Sequence, residues 1–379
     1  MTWSCGCKPS NMLSSRNKRH PSQIQLMKTR SLLAPRSLSL FLAALAISLP
    51  PVASKAQASA SSTNAAGGSP IRIGGSSTVF PIMNAAIKAY RAAGNRNPID
   101  LRETGTSGGF RAFCQGKLDI ANASRPISRS ELKECEKRRV VFIELPIAFD
   151  ALTVVVHPRN TWTKSISLKQ LGTLWNRRAQ GRIQRWNQVN SSWPDRPIKL
   201  CGPGTDSGTY DFFNKAVNGD PTNSRQDYTA SEDDTVIAKC VAQHPGALGY
   251  FGFSYAVANR NQLRTVPIAT ASGAITPSRS SVQSGRYPLA RPLFLYMNDK
   301  SLFARKEVQQ FTSFTIRNGL RFVEQAGEIP LPSSTYQLVE SKLYKRITGT
   351  AFTGDLPVGI TIGEVLRRSF DRTRLPQYR

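Results

Sequence analysis

The residues able to do chemistry sit in four short stretches. Three are Ser76-Ser77-Thr78, Gly105-Thr106-Ser107-Gly108-Gly109 and Ser124-Arg125, and the fourth, residues 201–209, reads CGPGTDSGT. Hydroxyls and glycines at this density suit an oxyanion. Backbone N–H groups that open a helix, at a dipole end worth roughly half an elementary charge, favour a phosphate or sulfate oxygen. One such loop reads as an ordinary helix cap, because serine and threonine are preferred there. Three of them beside the guanidinium fork of Arg125 read as a clamp, since arginine matches two anion oxygens at once. Asp206-Ser207-Gly208 also raises the possibility of a serine nucleophile, which needs a base within hydrogen-bond reach. The histidines are His20, His157 and His244, the last two followed by prolines, and no His, Asp and Glu cluster accompanies the serine. Catalysis is therefore disfavoured, and no metal or cofactor is expected.

The elements that must position these loops repeat in order. Ile71-Arg-Ile73 reads as a strand, and the glycine-serine turn after it passes into a helical pattern through Phe80, Met83, Ile87 and Tyr90. Residues 98–103 form a second strand, followed by the 105–109 turn and a helix holding Phe110, Phe113 and Cys114. Asp119-Ile120 introduces the Ser124-Arg125 turn, and Ser128 with Glu131 three residues on is a capping-box signature. Strand, turn and helix, three times over, predict an α/β domain with ligand groups at the carboxyl ends of its strands. Residues 140–146 and 151–156 read as two β-rich runs separated by Phe149-Asp150, a crossing between domains. A second unit follows, with a helix near 168–175, a strand at 198–200, the 201–209 loop and a glycine- and aromatic-rich strand at 246–252. A strand at 291–296 carries the chain back to the first domain, where the remainder reads as two amphipathic helices.

Composition bounds the rest. The chain has 379 residues, 51 Lys and Arg against 24 Asp and Glu, and a formal charge of +27. Eight of the basic residues and none of the acidic ones lie before Ser59, where a positive stretch, an apolar run at 38–49 and small residues up to Ala58 form a secretory signal. The apolar run is too short for a span of roughly 20 residues, and Met27 is a natural alternative start. Residues 59–69, rich in Ala, Ser, Thr and Gly, read as a flexible tether. The remaining charge of about +19 points to an anionic partner or surface. Basic residues without aromatic interleaving argue against nucleic acid. Beyond the leader stand Cys114, Cys135, Cys201 and Cys240, an even number in an oxidising compartment. Pairing Cys114 with Cys135 and Cys201 with Cys240 keeps each bridge inside one unit, and no Cys-x-x-Cys spacing supports zinc.

Taken together, Gly75-Ser-Ser-Thr-Val-Phe-Pro81, Gly105-Thr-Ser-Gly-Gly-Phe110, Asp119-Ile-Ala-Asn-Ala-Ser-Arg-Pro-Ile127 and Gly202-Pro-Gly-Thr-Asp-Ser-Gly-Thr-Tyr210 resemble the periplasmic phosphate-binding component of the bacterial phosphate ABC importer. The resemblance runs in order from Ile71 to about Phe370 and takes in residues 228–234 and 247–251. It implies a two-domain periplasmic-binding-protein fold of type II, with mixed sheets flanked by helices and a ligand cleft between domains joined by two crossover strands. The expected division is 70–149 with 294–379 as domain I and 150–293 as domain II. The expected ligand is inorganic phosphate, delivered by a soluble periplasmic monomer to a membrane permease; a sensor, a scavenger or, more remotely, a phosphatase is the alternative. Carried over by position, Ser77, Thr78, Thr106 and Ser107 face the phosphate from one domain, and Ser207, Gly208 and Thr209 from the other. Some relatives carry an aspartate where this chain has Ser124, and an arginine where it has Gly202-Pro203-Gly204. Arg125 is expected to take over the cationic role. Asp206, with Asp150 second, is the expected acceptor for the phosphate proton, unless it only caps its loop.

Overall fold

A computed structural model describes Ser69–Phe370; the leader, nearly all of the tether and the last nine residues lie outside the described residues. The first lobe opens with β1 (Ile71–Gly75), α1 (Phe80–Ala92), β2 (Ile99–Glu103), α2 (Gly105–Cys114), β3 (Ile120–Ala123), α3 (Arg129–Lys137) and β4 (Phe142–Ala151). The second lobe runs through β5 (Thr153–Val156), β6 (Ile166–Ser167), α4 (Leu168–Trp175), β7 (Lys199–Pro203), α5 (Gly208–Asn218), β8 (Thr229–Ser231), α6 (Asp234–Ala242), β9 (Ala247–Phe251) and α7 (Phe253–Ala258). It continues with β10 (Arg264–Thr265), β11 (Ile268–Thr270), β12 (Gly273–Ile275) and α8 (Arg279–Gln283). The chain returns along β13 (Ala290–Asn298) to α9 (Asp299–Ala304), α10 (Lys306–Arg317), α11 (Gly319–Gln325), β14 (Ile329–Pro330), α12 (Ser333–Tyr344) and α13 (Ile362–Phe370).

Two mixed sheets carry these lobes. One has the order β14-β4-β13-β3-β1-β2, the other β10-β5-β9-β7-β8, with a small β12-β11-β6 sheet beside them. Parallel β3, β1 and β2 need crossover helices, which α1 and α2 supply, so the turns after the strands fall on one edge. The same holds for parallel β9, β7 and β8, crossed by α5 and α6. Apolar side chains fill both faces of the first sheet: Ile71, Ile73, Met83, Val308 and Phe311 are wholly buried on one side, Phe110, Phe142 and Tyr296 on the other. In the second lobe Trp175 packs edge-on against Phe213, Tyr228 and Tyr250.

The crossing differs from the sequence reading in one respect. Phe149-Asp150 does not interrupt the strand; β4 runs through it for ten residues and pairs antiparallel with β13 from Phe142↔Asn298 to Ala151↔Ala290. A register shift opposite Leu293 and Phe294 takes up the irregularity next to Pro146, so a proline survives inside a paired strand. β4 and β13 thus form the two-stranded ribbon from which β5 departs. The tail also differs. Among the described residues five helices follow β13 rather than two, because Asn298 caps α9, α10 begins anew at Lys306, and Pro330 and Pro332 separate α11 from α12.

The structure pairs Cys114 with Cys135 (Cα–Cα 4.3 Å) and Cys201 with Cys240 (Cα–Cα 6.1 Å). The first bridge ties α2 to α3. The second ties the strand leading into the 201–209 loop to α6.

Candidate functional site

The three helix-opening turns meet where the two lobes face each other. Gly75 ends β1 at φ +134°, a conformation L side chains rarely adopt, and a Cβ there would lie 2.1 Å from the Asn122 carbonyl oxygen. That tight passage delivers Ser76, Ser77 and Thr78, all buried, into the cleft. The N-cap of α1 is Val79, with no side-chain cap, so the Ser77 and Thr78 hydroxyls are not used for capping. Thr106 in the first turn of α2 lies 3.2 Å from the Ser124 hydroxyl and accepts the Ser124 backbone N–H. From the opposite lobe Gly208 opens α5. A Cβ on it would lie 2.6 Å from the Thr106 hydroxyl oxygen and 2.7 Å from that of Ser124, so only glycine permits this approach. Ser207 is the N-cap of α5, accepting the Thr209 N–H, and Thr209 points to the same centre.

At that centre lies a residue the sequence reading treated only as a strand position. Arg291, the second residue of β13, is fully buried. Its Nη2 donates to Thr78 Oγ1 at 3.2 Å and to Thr209 Oγ1 at 2.8 Å, one hydroxyl from each lobe. Nε and Nη2 also donate to Asp150 Oδ2 at 2.9 and 2.8 Å, while Asp150 Oδ1 accepts the Phe253 N–H. Nη1 is buried with no protein acceptor. A fully buried cation with one orphaned donor needs an anionic or polar partner, because leaving such a donor unmet costs about 1–3 kcal/mol. The signal for Arg291 was present as a lone charge opening the apolar run Pro-Leu-Phe-Leu-Tyr. What the sequence could not show is the pairing that sets Arg291 opposite Asp150.

The structure gives three expected ligands other partners. Arg125 is buried, but its guanidinium grips Glu131 bidentately at 2.8 Å and 2.8 Å, donates through Nε to Asp211 Oδ2 at 2.6 Å, and donates to the Ser107 hydroxyl at 2.8 Å. With two carboxylates upon it, it has no donor directed at an anion in the cleft. Ser107 is correspondingly turned to Arg125, and its backbone N–H donates to the Asp206 carbonyl at 2.8 Å. Asp206 is at the exposed rim, both carboxylate oxygens held by Arg111 at 2.6 and 2.5 Å, which keeps it below the ordinary carboxylate range. It is therefore not positioned to accept a proton from a ligand among Thr78, Thr106 and Thr209. Glu131, read from sequence as a capping residue, does cap α3, but it also anchors Arg125.

These contacts are ties between the lobes. Arg125–Asp211, Arg111–Asp206 and Ser107–Asp206 each join the six-stranded lobe to the loop and first turn of α5. Beside them a carboxyl cluster faces across the gap. Burial raises Glu232 to about 7, with Asp206 and Asp211 adding to the shift. Burial and Asp233 raise Glu103, at the end of β2, to about 7, and burial raises Asp234 to about 8.

Nothing about Ser207 favours covalent chemistry. Its hydroxyl caps α5, His244 bonds the Cys240 carbonyl and His157 accepts the Arg159 N–H. Among the described residues no three His, Cys, Asp or Glu side chains are grouped to hold a metal ion, and no helix is long and apolar enough to cross a membrane.

Comparison with known proteins places this arrangement. Residues 54–318 match a protein-family model described as a PBP superfamily domain. Protein SphX of Synechocystis sp. is 41% identical over 299 residues, 79% of this chain and 89% of the relative. The phosphate-binding protein PstS of Staphylococcus epidermidis is 34% identical over 69% of this chain and 79% of its own length. The crystal structure of a possible phosphate binding protein from Planctomyces limnophilus superposes with a TM-score of 0.55 at 34% identity, covering 74% of this chain and 99% of that one. That family consists of substrate-binding proteins rather than enzymes. The chain belongs to the PBP superfamily and, within it, to the phosphate-binding substrate-binding proteins of ABC importers.

Proposed function

We propose that this protein binds inorganic phosphate in the cleft between its lobes and hands it to the permease of a phosphate ABC importer. The observation that carries the site is Arg291, wholly buried between hydroxyls of both lobes with Nη1 unmatched. In this reading a phosphate oxygen meets Nη1, and the remaining oxygens take donors from Ser77 and Thr78, Thr106 and Ser124, and Gly208 and Thr209. Ser207 serves as the cap that shapes the last of these. Helix N-termini of α1, α2 and α5 add dipoles of the right sign.

The lobes correspond to domain I, 70–149 with 294–379, and domain II, 150–293, and the β4–β13 ribbon is the hinge between them. Phosphate has differential affinity for the closed arrangement because only there do Thr78, Arg291 and Thr209 meet, so binding shifts the population toward closure. The basic, apolar N-terminal stretch is read as a cleaved export signal that yields a soluble periplasmic monomer. Ligand delivery requires no chemistry on the phosphate, in keeping with a transport role.

Calorimetric titration of the chain from Ser59 onward with phosphate, sulfate serving as competitor, tests this function. Saturable phosphate binding, abolished by Arg291→Ala, is the expected result. Affinity no better than millimolar would overturn it.

A further inference from the structure

The described residues carry a net charge of +17, and residues 157–200 supply +8 of it from nine Lys and Arg against the single carboxylate Asp195. Arg159, Lys164, Lys169, Arg178, Arg182 and Arg196 are all exposed, and none makes an ion pair among the described residues. The carboxylates that reach this region are largely committed: Asp195 to Arg185, and Asp227 to the buried Arg225 and the Gly181 N–H. Asp220 lies at its margin, bonded to Thr222.

The segment folds back on itself, which brings the stretch holding Arg185 and Trp186 against Trp162 and Arg196. Arg185 bridges Pro197, Ile198 donates to the Gln184 carbonyl, Trp162 meets Trp186 edge-on, and Arg196 lies over the Trp162 ring at 5.4 Å. Packing also narrows the kind of partner. Trp186 meets both Trp162 and Trp193 edge-on and is itself wholly buried, so these rings are not free platforms on which bases could stack. Among the described residues the exposed large apolar ones are Val236, Val257, Phe303, Leu338, Tyr344 and Val358, all outside the segment, so the face lacks the apolar anchor that a protein interface centres on. A diffuse basic face without anchors or stacking surfaces matches a carpet of anionic headgroups, where each Lys or Arg adds a similar increment of attraction.

We infer that the exposed basic face formed by residues 157–200 docks this protein on an anionic lipid bilayer, independently of the ligand cleft. It would keep the protein close to the membrane in which a permease sits and shorten its search to two dimensions.

The test is cosedimentation of the chain from Ser59 onward with phosphatidylglycerol-containing vesicles and with pure phosphatidylcholine vesicles. Binding only to the former is expected, weakening steeply as the Debye length contracts from about 10 Å at 0.1 M salt to about 3 Å at 1 M. The variant Lys164→Glu, Arg178→Glu, Arg182→Glu should bind about a hundredfold more weakly or worse. The variant Lys88→Glu, Arg91→Glu, Arg96→Glu changes net charge identically on α1 and the loop after it in the other lobe, and should stay within about threefold of the parent. Both should keep the parent's phosphate affinity; should the first misfold, the three Gln substitutions replace it. Equal loss in the two variants would assign binding to net charge and overturn the inference. So would binding to phosphatidylcholine alone, or no vesicle binding alongside capture of an acidic peptide or duplex DNA.

Discussion

Arg291 and Gly208 decide most at the scale of the residue. Arg291→Lys keeps a charge but loses the planar fork that serves Asp150, Thr78 and Thr209 together. Phosphate affinity should fall by a factor of about 100 or more, read by calorimetry, as expected for a buried charge-assisted bond worth about 3 kcal/mol. Arg291→Ala should in addition lower stability by about 3–5 kcal/mol in chemical denaturation, because Asp150 is left buried without its counter-ion. Gly208→Ala places a methyl group against the Thr106 and Ser124 hydroxyls. It should weaken phosphate binding while leaving the unfolding midpoint of the ligand-free protein nearly unchanged. Asp206→Asn, by contrast, should leave the preference for phosphate over sulfate as it was, since its carboxylate engages Arg111 rather than the cleft. That Thr78, Thr106 and Thr209 gather near one centre was legible because loop and helix start adjoin in sequence. Arg291 was not, because its partners lie 82 and 213 residues away.

Among the elements, the turns closing α2 and α5 onto each other carry the ties between lobes. Arg125 is the strong one. Replacing it by Met leaves Glu131 and Asp211 without their cation, and stability should fall by about 3–5 kcal/mol. Arg111→Ala removes a bridge whose partners are 59% and 37% exposed, worth at most about 1 kcal/mol. The carboxyls facing across the same gap predict a pH dependence. Burial first raises Glu103 and Glu232 to about 7 in the folded protein against an ordinary 4.5, with Asp233 beside Glu103, and Asp206, Asp211 and Arg111 beside Glu232, as the charged neighbours. A carboxyl whose folded value is raised holds its proton more tightly when folded, so stability is greatest below about 4.5 and declines as pH rises toward 7. The contribution should appear as a lower thermal midpoint at pH 8 than at pH 5.5, with a shallower slope in Glu232→Gln. The first three strand–turn–helix units were readable because each glycine turn sits between a short β run and a 3.6-residue periodicity. β4 read as two runs because a proline and an aspartate mark breaks in isolation, and only a partner strand with a compensating bulge overrules them.

For the whole molecule, the proposed function has the two lobes open and close about the β4–β13 ribbon. The sequence showed the two crossings; it could not show how many contacts already hold the lobes together, since Arg125–Asp211 and Arg111–Asp206 span 86 and 95 residues. Because ligand binds the folded, closed form, phosphate at a thousandfold excess over its dissociation constant should stabilise the protein by about 4 kcal/mol, whereas the Arg291→Ala variant should show no such shift. The most direct measurement is the position of phosphate in a crystal of the phosphate-bound protein. A phosphate oxygen is expected within hydrogen-bond distance, about 3 Å, of Arg291 Nη1, with further oxygens on Thr78, Thr106 and Thr209. Phosphate held instead by Arg125 or Asp206, with Nη1 of Arg291 turned away from it, would rule out Arg291 as the centre of the binding site.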